Sequence, residues 1–226
     1  MFKKSKLLGA MLAAALCTSS FAASAYTINF DNIASGANAN SDAVALANGV
    51  SFASAYLADT LDANFNVIGQ HWTPYSLADL TNPVDPSIFA QNSANLGWGT
   101  APSGTNALDG RFDQVMVQFA NPTQLSSFSF DLDKSSYGNL QATNVVFLDN
   151  NGNTVFTSNS FFQPTTTNFS QSFASGLTVS SVLLTSGKLY DNMSITVAAV
   201  PEPDTYAMML MGMGLIGFMV RRRKNS

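Results

Sequence analysis

The 226-residue chain carries ten Lys and Arg against fourteen Asp and Glu, and the two signs are segregated. Seven of the basic residues lie at the extreme ends. Between Tyr26 and Val200 only Arg111, Lys134 and Lys188 face twelve Asp, a formal charge of about −9 that excludes nucleic acid and other polyanions, whose binding requires a basic surface.

The N-terminus has the composition of a secretory signal. Lys3, Lys4 and Lys6 form a basic start, Leu7 to Leu16 a short apolar core, and Ala23-Ser24-Ala25 a small-residue cleavage site. This predicts a signal peptide over 1–25, removed by signal peptidase after translocation by the secretion machinery. Cleavage takes away Cys17, the chain's only cysteine, so the mature protein has no disulfide, no thiolate metal ligand and no Cys nucleophile. The remaining segment, 26–199, is long enough for one hydrophobic core and short for two.

That segment reads as a series of short strands. Tyr26 to Phe30 and Val50 to Tyr56 open it, with a short helical turn expected at Asp42 to Ala47 and another at Tyr75 to Leu80. From Gly69 to Gly110 the composition predicts a long connection holding His71, Trp72, Tyr75, Phe89 and Trp98. Phe112 to Phe119 then alternates, with Val115, Val117 and Phe119 on one face. Leu125 to Leu132 repeats the pattern with Phe128, Phe130 and Leu132, and Asn121-Pro122-Thr123 between them reads as a turn. Val145 to Leu148 and Thr154 to Phe156 flank Asp149-Asn150-Asn151-Gly152-Asn153, a hairpin turn. Phe169 to Phe173, Ser181 to Thr185 and Met193 to Val197 complete the series. The expected fold is all-β, an antiparallel β-sandwich of jelly-roll type, followed by one C-terminal transmembrane helix.

The last segment, 200–226, has three parts. Val200-Pro201-Glu202-Pro203 holds the only Glu of the chain between two prolines that keep the backbone extended. Thr205 to Val220 is apolar, and sixteen helical residues span about 24 Å against a hydrocarbon core of about 30 Å, a marginal anchor. Arg221, Arg222, Arg223 and Lys224 form a positive stop that keeps the C-terminus cytoplasmic and the preceding domain outside. These three parts, in this order, resemble the PEP-CTERM protein-sorting signal, also labelled historically an ice-binding-protein C-terminal domain. The resemblance covers about 26 residues. It implies recognition at Pro201, Glu202 and Pro203 by exosortase, a membrane cysteine protease. It further implies export across the inner membrane, transient anchoring, tail removal, and delivery to the surface or matrix of an exopolysaccharide-producing Gram-negative bacterium.

Candidate chemistry in 26–199 is sparse. His71 is the only histidine, which excludes multi-His metal sites, and no G-x-S-x-G pattern accompanies it. Asp131 and Asp133 share a strand face, which reads as a solvated edge rather than a glycosidase pair. No catalytic residue is assigned and no cofactor is expected beyond a structural calcium. Its candidate ligands are Asp31, near the end of the first strand, and Asp191, which opens the last, because terminal strands of jelly rolls often pair. Trp72, Tyr75 and Trp98 are candidate glycan contacts through ring stacking. The expected function is a non-catalytic surface or matrix protein associated with exopolysaccharide. The rival readings are a calcium-dependent carbohydrate-binding module and a secreted hydrolase.

Overall fold

The computed structural model describes residues 23–75, 89–92, 101–110, 114–133, 142–159, 161–162, 167–198 and 211–214. Its organising element is a 19-residue strand, β6 (Gln114–Leu132), flanked on both sides along its length. The first half of β6 pairs with β2 (Val50–Leu61), register Val50 with Phe119, and with the end of β11 (Asn168–Leu184), register Leu184 with Val115. The second half exchanges β2 for β12 (Lys188–Val197), register Tyr190 with Leu132, while keeping β11 on its other side. β12 also pairs with β1 (Ser24–Ile28) and β5 (Asn106–Gly110), and β5 with β4 (Ala90–Asn92). β11 continues to β8 (Val146–Leu148) and β9 (Thr154–Thr157). β2 forms a hairpin with β3 (Val67–Pro74). A separate two-stranded ladder joins β7 (Ala142–Thr143) to β10 (Phe161–Phe162). The result is a mostly antiparallel, all-β structure in which residues 25–198 form one unit.

The apolar faces read from the sequence point into this core. Val115, Val117 and Phe119 from one half of β6 bury with Phe128, Phe130 and Leu132 from the other, alongside Ile28, Phe30 and Phe52. The aromatic rings meet edge to face, Phe128 on Phe147 at 5.9 Å and Phe130 on Tyr190 at 5.2 Å, the arrangement their quadrupoles favour. The helical turn expected near Asp42 is α1 (Ala43–Ala47), and the Asp42 carboxylate caps it by accepting from the Val44 and Ala45 amides, both at 2.9 Å.

Two expectations are corrected. Asn121-Pro122-Thr123 is not a turn but the mid-point of β6, where the strand changes partner. Proline is tolerated there because residues 120–122 are exposed and β11 breaks register alongside, between Ser172 and Leu177 and again between Val179 and Ser181. Gly69 to Gly110 is not one long connection: His71 and Trp72 sit in β3, paired with Ala58 and Leu57. The hairpin turn that starts β3 is set by Asp62, whose carboxylate accepts from the Asn64 and Asn66 amides at 2.8 and 2.9 Å. Met116, on the face opposite Val115 and Val117, is buried in a second small cluster with Ala55, Leu148 and Leu183, against which Trp72 packs.

The signal core, the helical turn expected through Leu80, Trp98, the Pro201-Glu202-Pro203 motif and the basic stop lie outside the described residues. Residues 211–214, inside the expected transmembrane span, are helical. Among the described residues no helix is long and apolar enough to cross a membrane.

Candidate functional site

The two carboxylates singled out from the sequence converge on one loop. At the end of β1, buried Phe30 takes a left-handed backbone conformation, φ 58°, so burial of its ring holds a geometry the backbone alone disfavours. The chain thereby turns and presents Asp31. Its Oδ1 accepts from the backbone amides of Thr105 at 2.8 Å and Asn106 at 3.0 Å, at the start of β5. On β12 the register breaks between Asp191 and Ser194, with Asn192 left-handed at φ 45°. Such a bulge re-aims the side chains beside it. Buried Asp191 accepts through Oδ2 from Ser103 N at 2.9 Å and Ser103 Oγ at 2.8 Å, and through Oδ1 from Asn192 N at 2.7 Å.

Residues 103–106 are therefore clasped from both ends of the chain. Gly104 between them has φ 52°, and a Cβ there would lie 1.8 Å from the Asp31 carboxylate, so another residue would have to push that side chain off its hydrogen bonds. Burial pushes the Asp191 carboxyl above its usual range. Hydrogen bonds from Ser103 and Asn192 oppose that shift, and the nearby charge of Asp31 adds to it. Asp131 completes the cluster by accepting from Asn192 Nδ2 and Asn168 Nδ2, each at 2.8 Å.

The Asp31 and Asp191 oxygens named above are engaged by N–H and O–H donors, where Ca²⁺ requires six to eight converging oxygens. Among the described residues no three His, Cys, Asp or Glu side chains converge to hold a metal ion. The arrangement joins β1, β5 and β12 through charge-assisted hydrogen bonds. Chelation with EDTA is accordingly expected to leave the thermal midpoint unchanged. A drop that added calcium restores would make Asp31 and Asp191 ligands.

Trp72 is half-buried on β3, whereas the Tyr75 ring lies 4.6 Å from that of Tyr56. His71 on β3 has its Nδ1 3.1 Å from Thr60 Oγ1 across the hairpin. Asp133, read as part of a solvated edge, is instead buried, its Oδ1 accepting from Leu189 N at 3.0 Å. Sequence reasoning missed Lys188, a fully buried cation on β12 whose Nζ donates to the Asp133 carbonyl at 3.1 Å. Its only sequence signal was the rarity of basic residues in the segment.

The C-terminal address is the part of the chain with a known counterpart. A family model described as the PEP-CTERM protein-sorting motif matches residues 199–224, spanning the Pro-Glu-Pro sequence, the apolar run and the basic stop. No curated protein matches the chain. The motif is processed by exosortase, a membrane protease, and is a membrane-anchored signal. The chain thus carries a PEP-CTERM protein-sorting motif and is an exported protein sorted by exosortase.

Proposed function

We propose that this is a non-catalytic surface or matrix protein of a Gram-negative bacterium, associated with exopolysaccharide once its tail has been removed. In this reading 205–220 is the transient transmembrane helix and 26–199 the delivered domain, a jelly-roll-like sandwich. The observation that carries the proposal is the sorting motif at 199–224, since a plain anchor has no need of a Pro-Glu-Pro sequence before its helix.

A non-catalytic role is supported by how the obvious catalytic groups are employed. His71, the only base available to a serine triad, meets a threonine hydroxyl at Nδ1, where a triad uses a carboxylate. Asp131 and Asp133, the strand-face carboxylates a glycosidase would need, accept from Asn168, Asn192 and Leu189. A sandwich is supported by the way β6 passes from β2 to β12 while both halves bury into one core, as strands do when they turn a corner between packed layers.

Glu202→Ala tests the sorting step in producing cells. The expected result is accumulation of the full-length, membrane-bound chain and loss of the shortened surface form on immunoblots. Processing at the wild-type rate would remove Glu202 from the recognition element.

A further inference from the structure

We infer that the open groove beside β3 binds a neutral polysaccharide, an inference that gives chemical content to the exopolysaccharide association proposed above and depends on it for the ligand's source. The groove has a volume of about 410 Å³, within the range of small-ligand sites. Trp72 of β3, Met116 and Gln118 of β6, Ser181 of β11, and Asn150 and Asn151 of the β8–β9 turn contribute to its lining.

The turn wall is built in place. Trp72 N donates to the Gly152 carbonyl at 3.0 Å, so the turn adds to the free edge of β3. Gly152 has φ 76°, and a Cβ there would stand 2.1 Å from the Trp72 carbonyl oxygen. No other residue permits so close an approach without moving one of the two backbones. Within the turn, the Asp149 carboxylate accepts from the amides of Asn151 at 2.8 Å and Asn153 at 2.9 Å and from Asn153 Nδ2 at 3.1 Å. Its charge is thus committed to shaping the turn. Trp72 itself packs against the cluster of Ala55, Met116, Leu148 and Leu183. The walls are fixed before any ligand arrives, which reduces the ordering cost of binding.

The lining chemistry selects the ligand class. Amide and hydroxyl side chains both donate and accept, as sugar hydroxyls do. An indole offers an apolar face to the C–H face of a sugar ring. Among the described residues the lining includes neither Lys nor Arg, His71 being its one basic side chain, and the surrounding segment is strongly acidic. Uronate, phosphate and sulfate polymers are therefore disfavoured, and uncharged hexose chains are not.

The test is titration of the full-length chain in mild detergent with cellohexaose, maltohexaose and mannohexaose, read by tryptophan emission, with polygalacturonate as the anionic comparison. The chain has two tryptophans, so Trp98→Phe isolates the Trp72 signal. Saturable binding of at least one neutral hexasaccharide by Trp98→Phe is expected. A second readout, isothermal titration calorimetry, should show at least a tenfold loss in Trp72→Ala. Asn151→Ala, on an exposed turn position that leaves the core intact, should weaken binding severalfold and keeps the test decisive if Trp72→Ala does not fold. Absence of binding to all three neutral sugars would overturn the inference, as would binding unaffected by Asn151→Ala and Trp72→Ala, or equal affinity for polygalacturonate. Tail removal is scored separately through Glu202→Ala, so correctly processed protein that binds no sugar overturns the groove and leaves sorting standing.

Discussion

Replacing Lys188 with alanine is expected to lower the unfolding free energy by about 3–5 kcal/mol, the usual cost of leaving one member of a buried charge pair behind. The ammonium is fully buried, donates to the Asp133 carbonyl, and lies close enough to the buried Asp133 carboxylate to feel its charge. Removing it strands that carboxylate and opens a cavity where the aliphatic stem packed. Lys188→Met, which keeps the stem, should cost less, and Lys188→Met combined with Asp133→Asn should recover most of the loss. Urea unfolding followed by circular dichroism measures all three. A loss below about 1 kcal/mol for Lys188→Ala would mean that the charge is solvated and the pair ordinary.

The same lysine gives a pH signature. Burial lowers its pKa from 10.5, an effect the Asp133 charge partly offsets. Below 10.5 and down through the lowered value, the folded state binds fewer protons than the unfolded state, so stability rises with pH across that window. The difference between wild type and Lys188→Met should therefore shift in favour of wild type as pH approaches 10. Taking the difference cancels the tyrosines common to both proteins.

Asp191→Ala is expected to cost about 2–3 kcal/mol, because it removes three hydrogen bonds and leaves donors on Ser103 and Asn192 without their acceptor. Loss of the clasp should also release residues 103–106, visible as faster amide exchange at Thr105 and Asn106. The pH dependence has the opposite sense to that of Lys188. The folded pKa of Asp191 lies above the ordinary 3.8, through burial first and the Asp31 charge in addition. Its contribution to stability is complete below the unfolded value and is lost as pH rises through the folded one. Asp191→Asn should flatten this falling segment, and Asp31→Asn should shorten it from its high-pH end by removing the neighbouring charge. Urea midpoints between about pH 3 and 6 decide the matter. A wild-type curve parallel to that of Asp191→Asn would show that the carboxyl titrates at its ordinary value.

Features that depend on local pattern were legible in the chain. Alternation placed Val115, Val117 and Phe119 and then Phe128, Phe130 and Leu132 on buried faces, because a strand repeats every two residues whatever its partner. Asp42 to Ala47 marked a short helical turn and Asp149 before Asn-Asn-Gly-Asn a hairpin turn, since both depend on residues within a few positions of each other. The sorting motif was legible for the same reason, as contiguous residues whose order carries the information.

Other features follow from contacts between distant segments. Whether Asn121-Pro122-Thr123 ends a strand depends on which neighbours lie beside it, and here β11 continues past it. Lys188 and Asp133 are 55 positions apart, and Asp191 meets Ser103 across 88, so nothing local announces either pairing. Ser103, Gly104 and Thr105 look like ordinary loop composition until the fold brings Asp31 and Asp191 over them. The groove beside β3 exists because Gly152 lets a turn close on Trp72, a contact between segments some eighty residues apart. Local chemistry is written in neighbouring residues, whereas burial and the sharing of hydrogen bonds between distant strands follow only from the completed topology.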